Sequence, residues 1–181
     1  MPSIWTIGHS TRTLEELIGI LQAHKITALA DVRSFPASRR YPHFDRANLE
    51  AELPRSGMAY RWLGGELGGY RRKIRDDSPH TALRSPGFRH YADYLATAEF
   101  EAGIEQLLGL AVEKRVALMC AERLWWRCHR SLIADYLTAV RGVEVIHILE
   151  QTKSEPHRLH RVARIAGGRL VYDVGEVQPL L

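Results

Sequence analysis

The sequence predicts an α/β fold, a single three-layer domain in which a mostly parallel sheet is flanked by helices. Short apolar runs alternate along the chain with stretches whose apolar residues recur at helical spacing. The runs are continuous rather than alternating, which is the pattern of strands buried on both faces. The residues that carry chemistry follow these runs. In a parallel sheet that position is the carboxyl end of a strand, where ligands bind.

Ile4 to Ile7 is the first strand and stops at Gly8-His9-Ser10. Thr13, with Glu16 three residues on, makes a capping box that opens a helix with the stripe Leu14, Leu17, Ile18 and Leu21. Ile26 to Val32, interrupted only by Thr27 and Asp31, is the second strand and completes a βαβ unit. Arg33 to Phe44 is irregular, basic and aromatic, and holds two prolines. Asp45 can cap a short helix carrying Leu49 and Leu53, which Pro54 ends, and Met58 to Trp62 is a third strand. Gly64 to Tyr70 reads as a loop and, continued to Asp77, as a mobile flap. After Ser85-Pro86-Gly87 the spacing predicts two helices. The first turns Phe88, Tyr91, Tyr94 and Leu95 inward, the second Phe100, Ile104, Leu107, Leu108 and Ala111.

Val116 to Met119 is a strand that delivers Cys120-Ala121-Glu122, and Leu132, Ile133, Tyr136, Leu137 and Val140 mark the buried face of the next helix. Gly142 stops that helix, and Val143 to Ile148 is a strand containing His147. Pro156 to Ile165 reads as a last helix ended by Gly167-Gly168, and Leu170 to Val174 as a terminal strand. This order is Rossmann-like. It gathers Gly8-His9-Ser10, Asp31-Val32-Arg33, Trp62-Leu63-Gly64, Cys120-Ala121-Glu122 and the region after His147 on one edge.

At 181 residues and 45% hydrophobic content, the chain suits one domain over 1–181 around one core. A net charge of +4 favours an anionic partner without naming it. No apolar run is long enough for a signal peptide or a membrane span, so a cytoplasmic protein with no membrane partner is expected. Two cysteines, both in the site stretch, suit a reducing compartment. Oligomeric state is not legible.

Several chemistries fit the gathered residues. Cys120 at a strand end, with a helix N-terminus and Arg127 or Arg130 near, has the setting of a nucleophilic thiolate. The plain alternative is a small buried hydrophobe. A phosphate-loop thiol catalyst needs Cys, five residues, then Arg. Here Trp126 takes that place and Arg127 comes one residue late. Cys120, Cys128 and His129, with His9 or His147, suit zinc or iron by type. Their spacing argues against it, because neighbours at a helix start point roughly 100° apart and no Cys-x2-Cys pair is present. Asp31 and Glu122 could do acid-base work with His9 or His129. The plain alternative for Asp31 is a salt bridge that holds Arg33 or Arg130 in place.

Arg33, Arg39, Arg40 and Arg130 suit phosphate, and Phe35, Tyr41, Phe44 and Trp62 suit stacking on a base. His147 reads as a hydrogen-bonded core histidine. His43, His80, His90, His157 and His160 read as surface residues. Trp125 and Trp126 either both pack beneath the turn or divide, one forming a wall over the pocket.

Gly8-His9-Ser10, Asp31-Val32-Arg33, Ser38-Arg39 with Pro42 and Phe44, Leu63-Gly64-Gly65, Leu118 to Glu122 and Cys128-His129-Arg130 resemble, in order, the pattern of the domain-of-unknown-function 488 family. The resemblance runs from about residue 4 to 148 and leaves about 150–181 as a C-terminal helix and strand extension. It implies a compact α/β fold with these motifs lining one site, and it brings no activity with it.

The expectation is a strand-end pocket for a phosphorylated small molecule or nucleic acid, in a nucleotide- or nucleic-acid-directed hydrolase or transferase. Cys120, Glu122, His129, His9 and Asp31 form the reacting set. Ser10, Arg33, Ser38, Arg39, Cys128 and Arg130 bind substrate, and no metal or other cofactor is assigned. The competing classes are a non-catalytic nucleic-acid-binding module and a Cys/His metal or thiol-redox protein.

Overall fold

The computed structural model describes residues 2–174. Ile4–Gly8 (β1), Ala28–Asp31 (β2), Ala59–Trp62 (β3), Val116–Cys120 (β4) and Val145–Glu150 (β5) form a parallel sheet, to which Lys153–Pro156 (β6) adds antiparallel. The strand order is β3-β2-β4-β1-β5-β6. Every residue of β1, β2 and β4 is buried, as their continuous apolar runs require.

Helices cover both faces. Leu14–Ala23 (α1) starts at the Thr13–Glu16 capping box, and Arg46–Arg55 (α2) follows Asp45 and runs one residue past Pro54. Their residues Leu17, Leu21, Leu49 and Leu53 share one core cluster with Trp5, Ile7, Leu29, Ala117 and Met119. After the single turn Gly64–Leu67 (α3), the helices Pro86–Tyr94 (α4), Ala98–Glu113 (α5) and Arg130–Ala139 (α6) take the other face. There Tyr91, Phe100, Ile104, Leu107, Leu132 and Ile133 pack with Ile4, Ala28, Ala30, Leu118 and Cys120. Alternate residues of one strand thus enter different cores, as the period of two demands.

Two segments differ from expectation. Gly64 to Leu67 is not a loop but a helical turn whose Leu67 is buried. The last helix expected over Pro156 to Ile165 is absent. In its place β6 ends at Pro156, and Ala163–Ala166 (β7) pairs antiparallel with Arg169–Tyr172 (β8). Gly167 and Gly168 have φ of 56° and 76°. Two successive positive φ values are the requirement of the tightest hairpin turn, so the glycine pair joins two strands rather than ending a helix. Leu170 and Tyr172 seal the core beside α6. The terminal strand expected to reach Val174 ends at Tyr172.

Candidate functional site at the strand ends

A cleft of about 970 Å³ opens at the carboxyl ends of β1, β4 and β5, lined among others by His9, Ser10, Arg33, Ser38 and Glu122. Phe35, Tyr41 and Trp126 supply aromatic walls, and Arg123, Arg127 and Lys153 supply cations. Phe35 and Trp126 are 73% and 47% exposed, unusual for such large apolar groups. Trp125 instead packs inward, stacked on His147 at 4.0 Å and donating from Nε1 to Glu155 at 2.8 Å. The two tryptophans therefore divide. Arg123 is paired with Glu150, whereas Arg127 and Lys153 have no ion-pair partner among the described residues. Ser10, where the chain leaves β1, holds a φ of 53°. A non-glycine residue in that region is strained backbone, of the kind that clusters at functional sites.

Beneath the cleft lies a fully ordered polar group. Arg33 donates from Nε to Asp31 Oδ1 at 2.8 Å and from Nη2 to Asp31 Oδ2 at 2.6 Å and to the Phe44 carbonyl at 2.7 Å. The Tyr60 hydroxyl donates to the same carboxylate at 2.6 Å. Burial and the Asp31 charge raise the phenol well above its ordinary value. His9 is stacked on Phe44 and donates from Nδ1 to the Ser10 carbonyl at 2.9 Å, leaving Nε2 as an acceptor 3.4 Å from Arg33 Nη1. Burial, helped by the Arg33 charge, lowers its pKa to about 4. It is neutral at physiological pH.

The other residues expected in the reacting set lie elsewhere. Register aligns Gly8 with Cys120 and Asp31 with Met119, so Cys120 is turned to the face opposite Asp31 and His9. There the Cys120 and Cys128 sulfurs are in contact, and Cys128 Sγ is 3.4 Å from His129 Nδ1. None of the three lines the cleft. Arg130, expected to grip an anion, is buried and donates to the Glu122 carbonyl at 2.6 Å and to Thr6 Oγ1 at 3.3 Å. It ties the turn after β4 to β1. Burial lowers its pKa to about 9. Arg39 is exposed outside the lining, and the Ser38 hydroxyl accepts from the Tyr41 amide at 3.1 Å.

A buried chain of hydrogen bonds, which the sequence did not reveal, continues from Thr6. Asp135 accepts from Tyr172 Oη at 2.9 Å, from His157 Nε2 at 2.8 Å and from His160 Nδ1. With His157 as a neutral ring donating from Nε2, its Nδ1 accepts from His147 Nε2 at 2.9 Å, and His147 Nδ1 then accepts from Thr6 Oγ1 at 2.7 Å. Every ring is assigned one tautomer. Burial holds His147 down at about 2. Burial alone would raise Asp135, but bonds from His157 and His160 outweigh it and hold the carboxyl below its usual range. His80, like His157 and His160, is not the surface residue expected: it is 4% exposed, beside Asp93. In each case a buried helix aspartate recruits the ring. Of the cleft residues, Lys153 and Glu150 carried one signal, their place just after the strand containing His147.

This architecture defines the class: an α/β protein with helices on both faces of its sheet and a candidate site at the strand ends. The sequence model of Domain of unknown function DUF488 matches residues 13–137, and the chain belongs to that family. No curated protein and no solved structure matches the chain. Among the described residues no helix is long and apolar enough to cross a membrane.

Proposed function

We propose that the strand-end cleft binds a phosphorylated ligand, a nucleotide or nucleic-acid end, and that the protein acts on it in the cytoplasm as a hydrolase or transferase. The observation that carries this reading is the pairing of unpartnered Arg127 and Lys153 with the exposed rings of Trp126 and Phe35 around one cavity. Guanidinium and ammonium groups suit phosphate oxygens, and an exposed aromatic face suits a base. Glu122, exposed on the cleft wall, is the carboxylate placed to take a proton from an attacking water or hydroxyl. His9 offers a neutral acceptor at the floor. Cys120 faces away, so the reaction runs without a thiol nucleophile.

The test is a thermal-shift screen with nucleotides, sugar phosphates, inorganic phosphate and oligonucleotides. An Arg127→Ala/Lys153→Ala double variant runs in parallel. A ligand of the native state raises the melting temperature with concentration. A phosphorylated compound should stabilise the parent and not the variant, and turnover of that compound should fall about a hundredfold or more in Glu122→Gln with binding kept. Equal stabilisation of parent and variant would reject the cleft. Affinity only for long nucleic acid, falling steeply with salt and untouched by Glu122→Gln, would instead favour a binding module.

A further inference from the structure

We propose that Cys120, Cys128 and His129 form a binding site for one zinc or ferrous ion, separate from the cleft and on the opposite face of the sheet. One donor atom from each residue lies within 4.8 Å of the other two. Soft thiolates with an imidazole are the donor set such ions select.

Three further observations support the site. His129 Nε2 donates to the Val32 carbonyl at 3.0 Å, which obliges that nitrogen to carry the proton and turns the Nδ1 lone pair toward Cys128 Sγ. A backbone carbonyl that fixes tautomer and ring orientation is the usual support of a metal-bound histidine. Secondly, the Cα atoms of the two cysteines are 7.7 Å apart. That is outside the span of ordinary disulfides, about 4.4–6.8 Å. The two sulfurs therefore face one another from backbones better spaced for a shared ion than for a bond. Thirdly, a Cβ on Gly69 would stand 2.6 Å from His129 Nδ1, so the absence of a side chain keeps the approach to that nitrogen clear.

The distances suit a small ion. Metal–sulfur and metal–nitrogen bonds of about 2.3 and 2.0–2.1 Å set tetrahedral donors roughly 3.5–3.8 Å apart. Cys128 Sγ and His129 Nδ1 are already near that at 3.4 Å. The sulfurs touch and must draw apart on binding, for which their backbone separation leaves room. The Arg130 amide, 3.5 Å from Cys128 Sγ, supplies a donor to the thiolate. The local sequence looked unsuitable because adjacent residues in a helix diverge. Cys128, however, is extended, with φ of −124° and ψ of 152°, and His129 is the cap residue. Three protein donors leave a fourth position for water or another small ligand.

The experiment is elemental analysis of protein purified under reducing conditions, then chelation and titration of the reduced protein with cobalt(II) as a spectroscopic stand-in. The expected result is one equivalent of zinc or iron on purification, and thiolate-to-cobalt charge-transfer absorption that saturates at one equivalent. That absorption should be lost in Cys120→Ser and Cys128→Ser and kept in Arg127→Ala/Lys153→Ala. Circular dichroism checks that the serine variants are folded. If they are not, the parent protein still decides. Folded protein with both thiols titratable that gives no thiolate–cobalt band overturns the proposal. So does parent protein isolated from reducing buffer with its two cysteines bonded to each other. Failure of the phosphate screen leaves the cobalt result unaffected, so the two readings fail separately.

Discussion

Arg33 directs Nε and Nη2 into the Asp31 carboxylate, and both side chains are buried. Its role is therefore mainly to neutralise a charge inside the fold, with only Nη1 turned toward His9 and the cleft. Removing one member of a buried pair leaves the other uncompensated, at a cost of about 3–5 kcal/mol. Arg33→Ala should lower stability by that much in urea unfolding, whereas exposed, unpartnered Arg127→Ala should stay within about 0.5 kcal/mol of the parent. Equal midpoints for the two variants would show the pair to be solvated. At this scale the sequence disclosed which residues end strands but not which face each occupies. Faces follow parity along a strand and register between strands. Parity is local, and puts His9 with Trp5 and Ile7. The alignment of Gly8 with Cys120 is long-range, and it separates Cys120 from His9. A reacting set that mixed the two faces was the consequence.

Elements with a strong period were legible: the capping box placed the start of α1, and continuous apolar runs placed β1, β2 and β4. The C-terminal segment was not. Residues 153–166 carry mixed polar and apolar residues, half exposed, and their strands are fixed by pairing rather than by a stripe. What docks the β7–β8 hairpin is polar as well as apolar, since Tyr172 donates to the buried Asp135 on α6 at 2.9 Å. Hydrogen bonds to a charged group contribute about 1.5–3 kcal/mol. Tyr172→Phe keeps the ring and removes only that donor. It should lower the urea midpoint by an amount in that range and raise amide exchange in β7 and β8 more than in β1. An unchanged midpoint would mean that Asp135 is satisfied by His157 and His160 alone.

Across the whole molecule, the sheet carries a neutral histidine toward each face, and this sets how stability responds to acid. His9 packs on Phe44 on the α1 and α2 side, while His147, in register with Thr6, bonds toward α6. Their pKa values are lowered to about 4 and about 2, burial being the largest cause in both. In the unfolded chain both rings titrate near their ordinary value, about 6.5. Below that value the unfolded state binds protons that the native state refuses, so stability must fall as pH falls. The loss begins near pH 6.5, continues to about 4 for His9 and persists below that for His147. Asp135, whose folded pKa is lowered, adds its own loss only below the ordinary carboxylate range, about pH 4. Between about pH 6.5 and 4.5 the loss comes from histidines rather than carboxylates, and His129 and His80, also held below their ordinary value chiefly by burial, add to that of His9 and His147. Lying on opposite faces, His9 and His147 should act additively. Urea unfolding should show a midpoint steady above about pH 7 and falling below about pH 6.5, with a few kcal/mol lost by about pH 5. A flat profile down to pH 5 would mean that both rings accept a proton in the native state. The one-way chain of hydrogen bonds from Thr6 to Asp135, which requires a neutral His147, would then be wrong.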